Sequence, residues 1–75
     1  MNATTDRQAL SETAEESGWR RRTVDRTDFY RRGARDVEVF FTEDNLNGGA
    51  LYEDLKLLTY SREMATIQGW LTRAV

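Results

Sequence analysis

Seven arginines lie within the 17 residues from Trp19 to Arg35, a segment that also contains Phe29 and Tyr30. Two aspartates in this segment bring its net charge to +5, whereas the first 18 residues hold one arginine and four acidic residues, a net charge of −3. Guanidinium groups bind phosphates and carboxylates and stack on aromatic rings. The segment therefore indicates a surface that binds a partner, and both a protein and a nucleic acid fit that chemistry.

The residues that common catalytic mechanisms need are scarce in this sequence. It contains no histidine, no cysteine and one lysine, so no serine or threonine has a base of the usual kind to activate it. The spacing of Glu43, Asp44, Glu53 and Asp54 fits neither a calcium loop nor a glycosidase pair. We therefore expect a protein that is not an enzyme and that uses no cofactor, no metal ion and no small-molecule substrate.

The length and the net charge of the chain restrict which classes of binding protein fit the sequence. Seventy-five residues form one domain at most, and so small a domain buries little surface. A homo-oligomer such as a homodimer is one way in which the protein could bury more. The net charge of −2 is too weak to attract the whole protein to nucleic acid, so any anion binding is local. No apolar run approaches the roughly 20 residues of a membrane span. Because the sequence also begins without the features of a signal peptide, we expect a cytoplasmic protein without membrane contact.

Residues 1–17 predict either a flexible tail or a short helix. Thr5-Asp6-Arg7-Gln8 fits a capping box, and Gly18 is typical of a helix end. The apolar face of such a helix is thin, so the helix forms only if Leu10 docks on the rest of the protein.

Residues 18–75 are predicted to form a single α+β domain with a three-stranded antiparallel sheet. Alternation of apolar and polar residues predicts these strands at about Thr27–Arg32, at Asp36–Thr42 and at about Ala50–Asp54. The dipeptide Asn47-Gly48 is typical of a type I′ turn between the last two strands. Lys56-Leu57-Leu58 either extends the third strand or forms a short separate one.

A C-terminal helix over Ser61–Ala74 completes the predicted fold. Its apolar residues fall on one face and are Met64, Ile67, Trp70 and Leu71. We expect this face to pack on a row formed by Val37, Val39 and Phe41, with Phe29 on the same side. Tyr30 and Phe40 would then lie on the opposite side of the sheet, which no helix covers. Gly69, in the middle of the helix, could allow a close approach to the sheet.

The uncovered side of the sheet, or one of its edges, is the predicted partner-binding surface. Its candidate residues are Trp19, Arg20, Arg22, Tyr30, Arg32 and Phe40. Two structural alternatives compete with this interpretation. Glu38, Glu53 and Asp54 on neighbouring strands would balance the arginines and leave an ordinary solvated face. Trp19 fits a cap on the core better than an exposed anchor, and the N-terminal segment could cover Phe40 through Leu10.

Several short segments together resemble small uncharacterised proteins of actinobacteria and their phages, over about residues 18–72. They are Gly18-Trp19, Asp28-Phe29-Tyr30-Arg31-Arg32-Gly33, Val37-Glu38-Val39, Gly48-Gly49-Ala50, Ser61-Arg62 and Trp70-Leu71. The resemblance implies an α+β fold and a bacterial or phage setting, and it brings no catalytic or ligand residues. High-GC coding in such a setting also favours arginine over lysine, which is a second explanation for ten arginines and one lysine.

The sequence therefore predicts a small intracellular protein-binding module, with another protein or a second copy of itself as the partner. The alternative is a nucleic-acid-binding domain that contacts phosphates through the arginines of Arg20–Arg35.

Overall fold

The protein is an α+β domain with five antiparallel strands and two helices, as shown by a computed structural model that describes residues 4–72. The strands form one sheet in the order β1-β2-β3-β4-β5, so each strand pairs with its neighbours in the sequence. In chain order the elements are α1 (Asp6–Glu16), β1 (Arg20–Val24), β2 (Thr27–Arg32), β3 (Arg35–Thr42), β4 (Asn45–Glu53), β5 (Lys56–Ser61) and α2 (Met64–Thr72).

Two-residue turns connect all five strands. These turns are Asp25-Arg26, Gly33-Ala34, Glu43-Asp44 and Asp54-Leu55. In the last two turns both residues have positive φ, 51° and 66° in the first and 51° and 68° in the second. This is the conformation of a type I′ turn, whose twist matches that of the strands it joins. The sheet is therefore a continuous meander.

The predicted α+β class is confirmed, but the predicted number of strands is wrong. The sheet contains β1 and β5 in addition to the three expected strands. All five residues of β1 are exposed, as are all residues of β5 except Ser61. Strands whose residues are exposed on both sides carry no alternation of apolar and polar residues, which is the signal that identified the three central strands.

The turn predicted at Asn47-Gly48 is also wrong. The chain reverses at Glu43-Asp44, and Gly48 pairs with Phe40 inside the sheet. The register of β3 and β4 shifts by one residue between the Phe40–Gly48 pair and the Phe41–Leu46 pair. Asn47 is therefore the extra residue of a β-bulge. The turn-forming residues therefore shape a bulge in β4 rather than a hairpin.

Both helices pack on the same side of the sheet, and the core lies between them and β2–β4. As predicted, the Val37, Val39 and Phe41 row belongs to this core together with Ile67 and Leu71, and Met64 and Trp70 are half-buried against it. The other buried hydrophobic residues of the core are Leu10, Ala14, Trp19 and Tyr30. The predicted end of α2 at Ala74 lies outside the described residues.

Of the two alternatives for the N-terminal segment, the structure shows the helix. The capping box is present, because Thr5 Oγ1 accepts from the Gln8 amide at 3.1 Å and Gln8 Oε1 accepts from the Thr5 amide at 3.1 Å. Gly18, with a φ of 83°, follows the end of α1. Leu10 is fully buried in the core beside α2, so the N-terminal segment does not cover Phe40 on the other side of the sheet.

The two faces of β2 are the reverse of those predicted. Tyr30 pairs with Val37 and Asp28 with Val39, and both Tyr30 and Asp28 are buried on the core side. Phe29 consequently lies on the side without helices. The prediction assigned the core side to the phenylalanine because it is the more apolar residue, whereas a hydrogen bond between Tyr30 and Asp28 satisfies the phenol in the core.

The close approach of helix and sheet occurs at Gly49 of β4 and not at Gly69. A Cβ at Gly49 would lie 2.8 Å from Ile67 Cδ1 and 3.3 Å from the Glu38 carbonyl oxygen, whereas a Cβ at Gly69 would meet nothing within 4 Å.

We expect Gly49→Ala to lower the free energy of unfolding by about 1–3 kcal/mol through overpacking. Gly69→Ala should raise it by about 1 kcal/mol through helix propensity. Urea unfolding of the two variants checks this, and equal effects would contradict it.

Candidate partner-binding surface

The side of the sheet opposite the helices, here called the open face, is built by alternate residues of all five strands. Strand pairing aligns these residues into rows that run across the sheet. The open face comprises Arg20, Arg22 and Val24 of β1, Thr27, Phe29 and Arg31 of β2, Asp36, Glu38, Phe40 and Thr42 of β3, Asn45, Gly48, Ala50 and Tyr52 of β4, and Leu57 and Tyr60 of β5.

The β1 end of the open face combines positive charge with an aromatic ring. Arg22 pairs with Phe29, and its guanidinium carbon lies 5.3 Å from the centroid of the phenylalanine ring. Such a cation–π contact at an exposed site contributes about 0.5–1 kcal/mol and restrains the guanidinium over the ring. Arg20, on the same face of the same strand, is exposed. This edge therefore offers two guanidinium groups next to a hydrophobic surface.

The centre of the open face carries acidic groups. Asp36 forms a salt bridge with Arg31, with 3.4 Å between Oδ1 and Nε. Glu38 lies opposite Phe29 of the neighbouring strand. The Arg31 side chain remains 65% exposed, so the salt bridge is screened by solvent. These carboxylates reduce the positive potential that the arginines of β1 and β2 would otherwise produce across the sheet.

The open face also carries aromatic rings, Phe40 on the same strand as the acidic groups and Tyr60 on β5. Phe40 pairs with Gly48, and a Cβ at Gly48 would collide with the hydroxyl of Tyr60. The rings of Phe40 and Tyr60 thus flank a strand position that has no side chain. Phe40 is 36% exposed and Tyr60 is 56% exposed. Exposed rings on a face that no element covers are typical of interaction surfaces.

The structure brings three of the six predicted partner-binding residues onto the open face, namely Arg20, Arg22 and Phe40. The predicted placement of Tyr30 there is wrong, because Tyr30 is buried in the core. Trp19 is buried too, so of its two predicted roles the structure shows the core cap and not the exposed binding residue. The Trp19 indole caps the core, where its Nε1 donates to the Leu71 carbonyl at 2.9 Å. Arg32 pairs with Arg35 beside the Gly33-Ala34 turn, and alternation from Tyr30 places it on the helix side.

A buried ion pair that the sequence did not reveal connects α1 to the sheet. The carboxylate of Asp28 is fully buried and accepts hydrogen bonds from Arg7 Nη2 at 2.7 Å and from Arg7 Nε at 3.2 Å. It also accepts from the hydroxyl of Thr23 at 2.9 Å and from that of Tyr30 at 3.2 Å. Within residues 4–72, no buried side-chain nitrogen or oxygen lacks a partner. The only signal for this pair was an acidic residue in the middle of an aromatic strand.

The electrostatics of the ion pair follow from its burial and its hydrogen bonds. Burial alone would raise the pKa of Asp28, but the hydrogen bonds from Arg7 and Thr23 outweigh it, so that the pKa lies below its usual value. Burial and the adjacent carboxylate raise the pKa of Tyr30 well above its usual value, which keeps the phenol a donor at any physiological pH. The hydrogen bond to Asp28 likewise raises the pKa of Arg7. The four groups act as a fixed structural unit.

Comparisons of the chain with protein families, with curated proteins and with solved structures found no match. Neither helix in the described part of the chain is long and apolar enough to cross a membrane.

The lowered pKa of Asp28 predicts a specific loss of stability in acid. A carboxyl group whose pKa is lower in the folded than in the unfolded state stabilises the fold above its unfolded pKa, and this contribution disappears as the pH falls through the folded pKa. The free energy of unfolding should therefore decrease as the pH falls below about 4. Carbon-detected NMR titration of the native protein should show Asp28 titrating below 3.8, its usual value.

A variant of matched charge supplies the control for this prediction. Asp36→Asn removes an aspartate whose salt bridge is partly exposed, so this variant should retain most of the acid dependence. Asp28→Asn should lose the acid dependence and should also unfold more easily by about 1–3 kcal/mol, because Arg7 then keeps only its longer salt bridge to Asp44, 3.5 Å between Nη1 and Oδ1. A pKa of Asp28 at or above the usual value would refute the prediction without requiring the variant to fold.

Proposed function

We propose that this chain is a small protein-binding module that contacts its partner through Arg20, Arg22, Phe29 and Phe40, here called the binding patch. The observation that carries the proposal is the one-sided packing of the helices. Because α1 and α2 both cover the same side of the sheet, Phe40 lies on an uncovered face, 36% exposed. The resemblance to actinobacterial and phage proteins supports a bacterial cytoplasmic setting for such a module.

The chemistry of the binding patch defines the kind of partner. Arg20 and Arg22 favour carboxylates on the partner surface, while the rings of Phe29 and Phe40 favour apolar side chains between them. Arginine and aromatic residues are enriched among the residues that dominate binding energy. The cation–π contact to Phe29 restrains Arg22 before binding, which lowers the entropy lost when the partner docks. An acidic protein surface with an exposed apolar side chain fits this patch.

Nucleic acid is the second candidate, and its support is weaker. Of the arginines between Arg20 and Arg35, Arg31 is paired with Asp36, Arg35 is paired with Glu53 at 3.1 Å, and Arg21 donates to the hydroxyl of Ser11 at 2.6 Å. A phosphate backbone laid across the sheet would also approach Asp36 and Glu38 on the open face. We therefore rank a protein partner above nucleic acid.

Paired arginine substitutions test the binding patch. Arg22 and Arg26 are both exposed, but Arg26 belongs to the Asp25-Arg26 turn and not to the open face. We expect Arg22→Thr and Phe40→Thr to weaken binding of a partner isolated from host extract at least about fivefold, the effect of losing 1 kcal/mol, and Arg26→Thr to leave it unchanged. Calorimetric titration of the purified partner measures these affinities. Unchanged affinity in both open-face variants would refute the patch.

Salt dependence distinguishes the two candidate functions. Binding to labelled single- and double-stranded oligonucleotides can be followed by fluorescence anisotropy at increasing salt concentration. If phosphate contacts were the function, the logarithm of affinity would fall with the logarithm of salt concentration with a slope of about −0.7 to −0.9 per contact. We expect weak binding with a shallow slope, because the open face carries only three arginines and one of them, Arg31, is paired with Asp36. Tight binding with a slope steeper than about −4 would instead favour nucleic acid.

A further inference from the structure

The two edges of the sheet differ in how they are protected from pairing with other strands. The first three residues of β1 are Arg20, Arg21 and Arg22, whereas the only charged residue of β5 is Lys56. Charged side chains on an edge strand oppose pairing with another chain, and an edge without them offers its backbone N–H and C=O groups to a further strand. By this criterion β1 is protected and β5 is accessible.

Large apolar side chains concentrate on and beside β5. Leu57 is 59% exposed, Leu58 is 53% exposed and Tyr60 is 56% exposed. Leu55, in the turn that leads into β5, is 79% exposed. Four such residues within six positions form an apolar surface along one edge of a chain that is otherwise rich in charge. Their exposure is costly unless another surface covers them.

The backbone of the β4–β5 turn gives a second, independent indication. Leu55 has a φ of 68°, in the left-handed region where a β-carbon is unfavourable and where glycine or asparagine is usual. A leucine at this position strains the backbone, and its side chain gains almost no burial within its own chain. Both disadvantages are offset if the side chain contacts another molecule at this edge.

We propose that β5 pairs antiparallel with β5 of a second copy of this chain, so that two five-stranded sheets join into one. This arrangement has twofold symmetry, and the same surface is used by both copies. Full overlap of the two strands places Lys56 opposite Ser61 of the second copy and therefore keeps the two lysines apart. It also places Leu57 opposite Tyr60 of the second copy. Both residues lie on the open face because the β4–β5 register skips Leu58, so they form an apolar–aromatic pair.

Other pairings of the sheet edges fit the sequence less well. Pairing of β1 with β1 would bring Arg20, Arg21 and Arg22 of two copies together, with strong repulsion. Pairing of β1 with β5 uses different surfaces on the two copies and would continue into a filament. The β5 pairing closes on itself as a dimer. It leaves the binding patch on β1–β3 free, so it holds or fails independently of the proposed function.

Molecular mass in solution tests the pairing. Sedimentation equilibrium of the full chain over a wide concentration range should give twice the mass of the 8.7-kDa chain. Leu58→Lys should reduce the mass to that of a monomer, because it places two like charges near the twofold axis. Val24→Lys adds the same charge at a 46%-exposed position on β1 and should leave the dimer intact.

Cysteine pairs test the register in the same preparation, because the native chain contains no cysteine. A mixture of Leu57→Cys and Tyr60→Cys chains should form mixed disulfides on air oxidation, since these positions lie directly opposite. Leu57→Cys alone should cross-link poorly, because its two copies lie three positions apart along the paired strands. A monomeric native chain, as expected if β5 binds a strand of another protein, would overturn the proposal. So would filaments, a dimer disrupted by Val24→Lys but not by Leu58→Lys, or cross-linking of Leu57→Cys mainly to itself.

Discussion

The buried carboxylate of Asp28 is the constraint from which the arrangement of this protein follows. A charge in the core requires a partner, and the guanidinium of Arg7 supplies it from the first turn of α1. The ion pair holds α1 on the same side of the sheet as α2, and Asp6 adds to this connection by accepting the Leu46 amide at 2.8 Å. Both helices therefore pack on the same side of the sheet. The same carboxylate fixes the orientation of β2, since a shift by one residue would expose Tyr30 and bury Phe29.

The orientation of β2 in turn determines what the open face presents. With Asp28 and Tyr30 directed inward, Phe29 is directed outward, where Arg22 of β1 stacks on it. A polar requirement in the core thus places an aromatic residue on the outer surface, next to the arginines. The β-bulge at Asn47 has a comparable effect in β4, because it brings Gly48 opposite Phe40 and leaves room for the ring of Tyr60. The surface that we propose as the binding site is therefore linked to the interior by strand register.

The fold was predictable where local patterns and tertiary packing favour the same structure. The alternation through Val37, Val39 and Phe41 and the apolar face of α2 identified β3, α2 and their contact, because each pattern reflects burial on one side. Strand β2 was located, but its faces were inverted, since apolar character alone ranks phenylalanine above tyrosine and aspartate. To assign the faces of β2 correctly, one would have to know that Arg7 pairs with Asp28, which is 21 positions away in the sequence. The edge strand β1 was left out of the predicted sheet, and Lys56-Leu57-Leu58 indicated β5 only as one of two alternatives, because exposed strands have no burial pattern. Arg20, Arg22 and Phe40 were placed correctly on the open face, whereas Trp19 and Tyr30 lie in the core.

Both helices lie on one side of the five-stranded sheet, and no element within residues 4–72 covers the other side. A face left to solvent alone would carry polar residues at its alternate positions, as is usual for half-exposed antiparallel sheets. The open face carries such polar residues, but it also carries Phe29, Phe40 and Tyr60. Because these rings gain little from exposure to water, their presence on the uncovered side favours contact with another molecule over an ordinary solvated surface.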